Sequence, residues 1–214
     1  MQKVFHRLIQ RRHFADGQAY DRHASLVFGG IYARVADDVA TAAPHGGIVL
    51  DGGCGTGQLA VHIAHRRPDL YVYGVDLSSG MIEVAERWAK QGGVADRVQF
   101  AVADLEALPL REACVDLVVS TASLHHWTDP SAVVASLNRV LRPRGRILLY
   151  DLRWVRTGTV RSAARKHNSQ VDRLVIRAGP FPIALFQRLA IEPGPQQAAV
   201  AGSRADYPRA LVCG

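Results

Sequence analysis

The segment Ile48-Val49-Leu50-Asp51-Gly52-Gly53-Cys54-Gly55-Thr56-Gly57 constrains this chain more than any other stretch. A short apolar run ends in an acid, a loop with glycine at alternate positions follows, and a helical pattern starts at Gln58. Glycine serves a sharp turn and lets a ligand approach the backbone. A strand that passes through such a loop into a helix opens a βαβ unit. The spacing separates rival loops of this kind. The dinucleotide fingerprint needs G-x-G-x-x-G. Counted from Gly53, its last position falls on Gln58, so the loop reads D-x-G-x-G-x-G instead.

The alternation continues along the chain. Strand-like runs are Gly47–Asp51, Leu70–Asp76, Val98–Asp104, Val115–Ser120 and Arg146–Asp151, with helical patterns at Gly57–Arg66, Ser79–Gln91 and Ser131–Leu141. Arg67-Pro68, Gly92-Gly93 and Pro143-Arg144-Gly145 punctuate the helix exits. Arg111–Cys114 is too short for a crossover helix. This order predicts an α/β fold, a doubly wound, Rossmann-like, mostly parallel sheet with helices on both faces. Ahead of it, Leu26, Ile31, Val35 and Val39 share a helical face within Gly17–Thr41. After it, Ser162–Arg177 reads as a helix, and Ala184–Ile191 and Tyr207–Cys213 as two late strands forming an antiparallel edge pair. Residues 1–46 are expected to be a helical cap, and 47–214 the ligand-binding core.

In open α/β sheets, ligands sit beyond the carboxyl ends of the strands. Here the first strand ends at Asp51, the second at Asp76, and the third runs into Asp104-Leu105-Glu106. The fourth ends at Ser120 and is followed by Thr121-Ala122-Ser123-Leu124-His125-His126-Trp127-Thr128-Asp129-Pro130. The glycine loop resembles motif I of the class I S-adenosylmethionine-dependent methyltransferases. The HH-aromatic-x-D-P loop resembles the small-molecule members of the ubiquinone/menaquinone-biosynthesis type. It lacks the Asn-Pro-Pro-aromatic signature of amino-group methyltransferases. The resemblance covers roughly Ile48–Leu152, about half the chain.

That resemblance implies seven strands, the last inserted antiparallel, and S-adenosyl-L-methionine as cofactor. It implies a site made of Asp51, Gly52, Gly53, Cys54, Gly55, Thr56 and Gly57, with Asp76, Leu77, Met81, Asp104, Leu105 and Ser120. Asp51 would hold the ammonium group, and N–H groups of a helix starting near Thr56 would meet the carboxylate. Asp76 would accept from both ribose hydroxyls, Met81 would lie against the adenine, and Asp104 would accept from the adenine amino group. Ser79 reads as a helix N-cap. Tyr20 and Arg22 are candidates for a lid folded over the cofactor, with Tyr20 a further cofactor contact and Phe28, Tyr32 and Trp154 as apolar wall. His125 or His126 is a candidate general base, since imidazole titrates near neutrality. The alternative is that both pack the loop or cap the next helix. The acceptor would be a small molecule methylated by in-line displacement.

Charge is unevenly placed. Residues 51–150 carry ten Lys/Arg and eleven Asp/Glu, whereas 151–214 carry ten against four. The basic third fits a solvated face, or an acidic substrate, a nucleic acid or an anionic membrane as partner. A nucleic-acid or protein acceptor and a non-catalytic binding protein are the rival readings. Cys54, Cys114 and Cys213 share no metal-ligand spacing and are odd in number, which points to a reducing compartment, the cytoplasm. The start, Met1–Arg12, is basic with helical spacing and lacks the pattern of a secretory signal. No apolar run is long enough for a transmembrane helix.

Overall fold

Seven strands lie in one sheet in the order β3-β2-β1-β4-β5-β7-β6. They are β1 Ile48–Gly52, β2 Tyr71–Asp76, β3 Val98–Val102, β4 Val115–Thr121, β5 Leu141–Leu152, β6 Ser169–Ile176 and β7 Phe186–Pro193. The helices are α1 Gly17–Ala42, α2 Gln58–Arg66, α3 Ser79–Gln91, α4 Pro130–Val140 and α5 Gly158–Lys166. This computed structural model describes residues 17–177 and 184–194, with side chains from residue 30 onward. Tyr20, Arg22 and Phe28 therefore lie on α1 with their side chains outside the described residues, as do Met1–Arg12 and Tyr207–Cys213 entirely.

The central strands pair in parallel: β1 with β2 and β4, β2 with β3, β4 with β5. β1 is buried along its whole length, as a strand covered on both faces must be. On one face Ile31, Val35 and Val39 of α1 pack with Leu59 and Ile63 of α2 against Val49, Leu117 and Tyr150. On the other, Val133 and Leu137 of α4 and Val160 of α5 pack against Leu50, Val118, Leu149 and Leu189. The two cores together are the doubly wound arrangement expected. Among the described residues no helix is long and apolar enough to cross a membrane.

Three expectations change. Ser162–Arg177 is not one helix: α5 ends at Lys166, and Ser169–Ile176 is the edge strand. The antiparallel pair is thus β7 between β5 and β6. β6 is exposed on both faces over Asp172–Val175, so it lacks the alternation that marks a half-buried strand. Pairing with β7 decides its conformation. The Pro143-Arg144-Gly145 stretch lies inside a longer β5, where the β4–β5 register shifts and Arg144 takes φ 78°. The α3 cap is Ser78, whose hydroxyl accepts from the Met81 N–H at 3.3 Å, rather than Ser79.

Candidate functional site

The strand order reverses between β1 and β4, and the carboxyl ends of β1–β4 border a cavity of about 590 Å³. The three loop glycines hold that edge in different ways. All have left-handed φ: Gly53 70°, Gly55 53°, Gly57 75°. A Cβ on Gly53 would stand 2.3 Å from Ser123 Oγ, so the loop after β4 leans directly on position 53. A Cβ on Gly57 would meet Ala85 and Phe100 at 2.7 Å, so this glycine lets α2 pack against α3 and β3. A Cβ on Gly55 would meet nothing within 4 Å, and Gly55 borders the cavity. The loop is also tied to β2, since Gly53 and Cys54 N–H both donate to Val75 O, at 2.8 and 3.0 Å.

Asp76 closes this tie. Its Oδ2 accepts from Gly55 N–H at 3.0 Å and its Oδ1 from Ser78 N–H at 2.9 Å. Burial raises its pKa, and these backbone donors pull the other way. Asp51 is buried, and its Oδ2 has no hydrogen-bond partner among the described residues. Burial, with Asp76 adding to it, raises the Asp51 pKa to about 7. An orphaned carboxylate oxygen beside a cavity is a costly feature unless a cationic or donor group meets it. Asp104 Oδ1 accepts from Glu106 N–H at 3.0 Å, capping a short 3-10 turn over Leu105–Ala107. Asp51, Asp76, Asp104 and Glu106 put four carboxylates on the cavity wall.

The expected site residues divide. Asp51, Gly53, Cys54, Gly55, Thr56, Asp76, Leu77, Met81, Asp104, Leu105 and His126 border the cavity. Gly52, Gly57, Ser120 and His125 do not border it. Ser120 lies one residue too deep, buried with its hydroxyl unpartnered, and Thr121 reaches the wall in its place. The helix start sits two residues past Thr56, at Gln58, and the N–H groups of Gly53, Cys54, Gly55 and Gly57 are used inside the protein. Tyr32 of α1 reaches the wall, whereas Trp154 is 64% exposed and stands away from it.

Two features escaped the sequence reading. Trp127 borders the cavity with its Nε1–H donating to Ser123 Oγ at 3.1 Å. Asp151, at the end of β5, lies 3.0 Å from His125 Nδ1 through both carboxylate oxygens. The acid closing the fifth strand was the available signal, but its partner stands 26 residues earlier.

A model of the methyltransferase domain matches residues 50–149. The matched residues make up a little under half of the chain. Over 120 residues the chain is 39% identical to 27-O-demethylrifamycin SV methyltransferase of Amycolatopsis mediterranei, covering 55% of this chain and 44% of that protein. Over 104 residues it is 42% identical to malonyl-[acyl-carrier protein] O-methyltransferase of Hahella chejuensis, covering 49% and 36%. The match thus spans less than half the length of either relative. The fold is shared with a SAM-dependent methyltransferase from Aquifex aeolicus, with a TM-score of 0.62 at 18% identity over 75% of this chain and 89% of that one. It is shared also with the [4+2]-cyclase SpnF, with a TM-score of 0.66 at 19% identity over 76% and 81%.

Proposed function

We propose that this protein is an S-adenosylmethionine-dependent methyltransferase that methylates a small-molecule acceptor by in-line displacement. One observation carries the reading: Asp51, buried and with an unpartnered Oδ2, borders a cavity whose wall bears three further carboxylates. Such a wall repels a pyrophosphate and suits a ligand with positive centres. S-Adenosylmethionine, when bound, supplies a methyl group on a positively charged sulfur and also carries an ammonium group.

The residues fit it. Asp51 Oδ2 holds the ammonium group and becomes fully ionised in doing so. Asp76 keeps its two backbone donors and accepts from the ribose hydroxyls with the remaining lone pairs. Leu77, Met81 and Leu105 give an apolar wall for the adenine, with Asp104 at its edge. Open space above Gly55 admits the ligand close to the backbone. The chain's task is to align the two reactants and exclude water. In the same reading residues 1–46 form a cap over residues 47–214, supported by Tyr32 on the cavity wall. The unpaired Cys54 and Cys114 support a cytoplasmic location.

Isothermal titration tests the reading. The wild type is expected to bind S-adenosylmethionine and its product S-adenosylhomocysteine. Absence of binding to both sinks it. An RNA acceptor is the second reading, carried by the exposed Arg153, Arg156, Arg165, Lys166 and Arg177.

A further inference from the structure

We propose that the carboxyl edge of the sheet beyond β5 is a docking surface for an anionic lipid bilayer. The proposal goes beyond the methyltransferase reading and does not depend on it. Exposed apolar side chains provide the first argument. Among the described residues Leu77 and Val102 are exposed at the cavity wall, and Trp88 on α3. The other exposed large apolar side chains, Trp154, Leu174, Val175 and Leu185, gather in one place. Trp154 follows β5, Leu174 and Val175 lie near the end of β6, and Leu185 leads into β7. Phe186 pairs with both Leu152 and Ile176, which brings these three points together at the carboxyl edge. The cavity lies further along the same edge. An apolar patch left in water marks an interaction surface.

Charge provides the second argument. Residues 153–177 hold seven Lys/Arg against one acid, Asp172. Arg153, Arg156, Arg173 and Arg177 are exposed at this edge. Arg173 Nε donates to Gln187 Oε1 at 2.6 Å and its Nη2 to Arg153 O at 3.2 Å. Both acceptors are neutral, so these bonds fix the guanidinium and leave its charge uncompensated. The turn that carries Trp154 is fixed in the same way. Gln187 is 1% exposed, and its Nε2 donates to Leu152 O at 2.9 Å and to Val155 O at 2.8 Å. Arg153 N–H donates to Leu185 O at 2.9 Å. Trp154 is thus held outward, 64% exposed, with an arginine close on either side in sequence.

Shape then selects the partner. Val175 pairs with Gln187, on the α5 side of the sheet. Leu174 pairs with Arg188, whose guanidinium reaches Asp38 of α1 on the other side. Apolar side chains therefore stand on both faces and wrap the rim. An RNA backbone binds through its phosphates and has no use for aliphatic side chains on two faces. The flat surface of a folded protein meets one face of a strand, not both. A bilayer interface yields around a convex rim, takes tryptophan at headgroup depth and draws arginines to anionic headgroups. Docking by this rim turns the edge that bears the cavity toward the bilayer.

Co-sedimentation of the full chain tests this, with phosphatidylcholine vesicles and with vesicles that also contain phosphatidylglycerol. The wild type is expected to bind the anionic vesicles, less tightly as salt rises, and to leave pure phosphatidylcholine largely unbound. Trp154→Ala alters a side chain that stands in water and is expected to weaken binding about tenfold. Arg156→Glu with Arg177→Glu is expected to weaken it at least ~25-fold, at roughly fivefold for each arginine. Arg165→Glu with Lys166→Glu makes the same change in charge at the opposite edge, where β6 starts, and should alter binding less than about threefold. Equal losses in the two pairs mean attraction by net charge alone and overturn the proposal. Undiminished binding by Trp154→Ala overturns it too. A wild type that ignores anionic vesicles overturns it as well, and binding of single-stranded RNA by that protein would hand the surface to nucleic acid. Quenching of tryptophan emission by brominated lipid reads orientation rather than affinity. It is expected in the wild type and lost in Trp154→Phe; quenching that persists in this variant places another surface on the bilayer and overturns the proposal.

Discussion

The carboxyl ends of β1–β3 and the β6 edge of the same sheet carry opposite charge. The first gathers Asp51, Asp76, Asp104 and Glu106 around one cavity. The second, with the turn and helix leading to it, spreads Arg153, Arg156, Arg165, Lys166, Arg173 and Arg177 over an exposed surface. The chain's net charge of +7 describes the second region and misdescribes the first. Overall charge speaks to encounter and solubility, whereas the ligand answers to the field inside the cleft. In the acidic region Asp51 is buried, and Asp76, Asp104 and Glu106 are half-buried and held by backbone donors. In the basic region they are solvated and screened.

The sharpest way to break this contrast is Asp76→Ala. It removes the proposed acceptor for two ribose hydroxyls and the partner of Gly55 and Ser78 N–H groups. With each charge-assisted bond contributing about 1.5–3 kcal/mol, calorimetry should show at least ~100-fold weaker S-adenosylmethionine binding. Next come the glycines that frame those acids. Gly53→Ala drives a Cβ into Ser123 at left-handed φ and should cost ~2–4 kcal/mol in denaturant unfolding. Gly55→Ala meets open space and should cost only ~1–2 kcal/mol for its φ. Equal losses would mean that the loop after β4 does not lean on position 53.

The charge of Asp51 gives a smaller, tunable effect. With its pKa at about 7, the cationic ligand must displace a proton at lower pH. Affinity should therefore fall by up to about tenfold per pH unit below 7, and Asp51→Asn should flatten that slope. Stability of the empty protein runs the other way. The folded pKa lies above the unfolded one, so what Asp51 lends is full below the unfolded value of 3.8 and is lost as pH rises through about 7. The least effect is expected at the basic edge: Arg165→Glu with Lys166→Glu should leave S-adenosylmethionine binding unchanged. If the wild type binds RNA with an affinity that falls steeply with salt, and this variant does not, the edge is a working surface and the second reading gains.

How far the sequence reached follows the same divide. The parallel half was legible because its strands are buried on both faces and end in acids or in a glycine loop, all local signals. β6 was misread because Arg161, Arg165, Arg173 and Arg177 recur at helical spacing, while an edge strand open on both sides has no alternation to oppose them. The cavity wall was legible at Asp51, Asp76 and Asp104. It was missed by one residue at Thr121, because the length of β4 is set by its neighbours. The His125–Asp151 pair was invisible because two adjacent strand ends, distant in sequence, make it.

Tyr150 and Asp151 are neighbours on β5 and point to opposite faces. The Tyr150 hydroxyl donates to Asp38 of α1 at 2.8 Å, while Asp151 holds His125. A slip of β5 by one residue would send the carboxylate into the apolar core beneath α1 and the phenol toward the histidine. Alignment of the strand is thus checked on both sides of the sheet at once. The shift in pairing near Pro143–Gly145 lies at the far end of β5, before the continuous register from Arg146 onward. An inserted residue there would be absorbed upstream, before the continuous register, without moving either check.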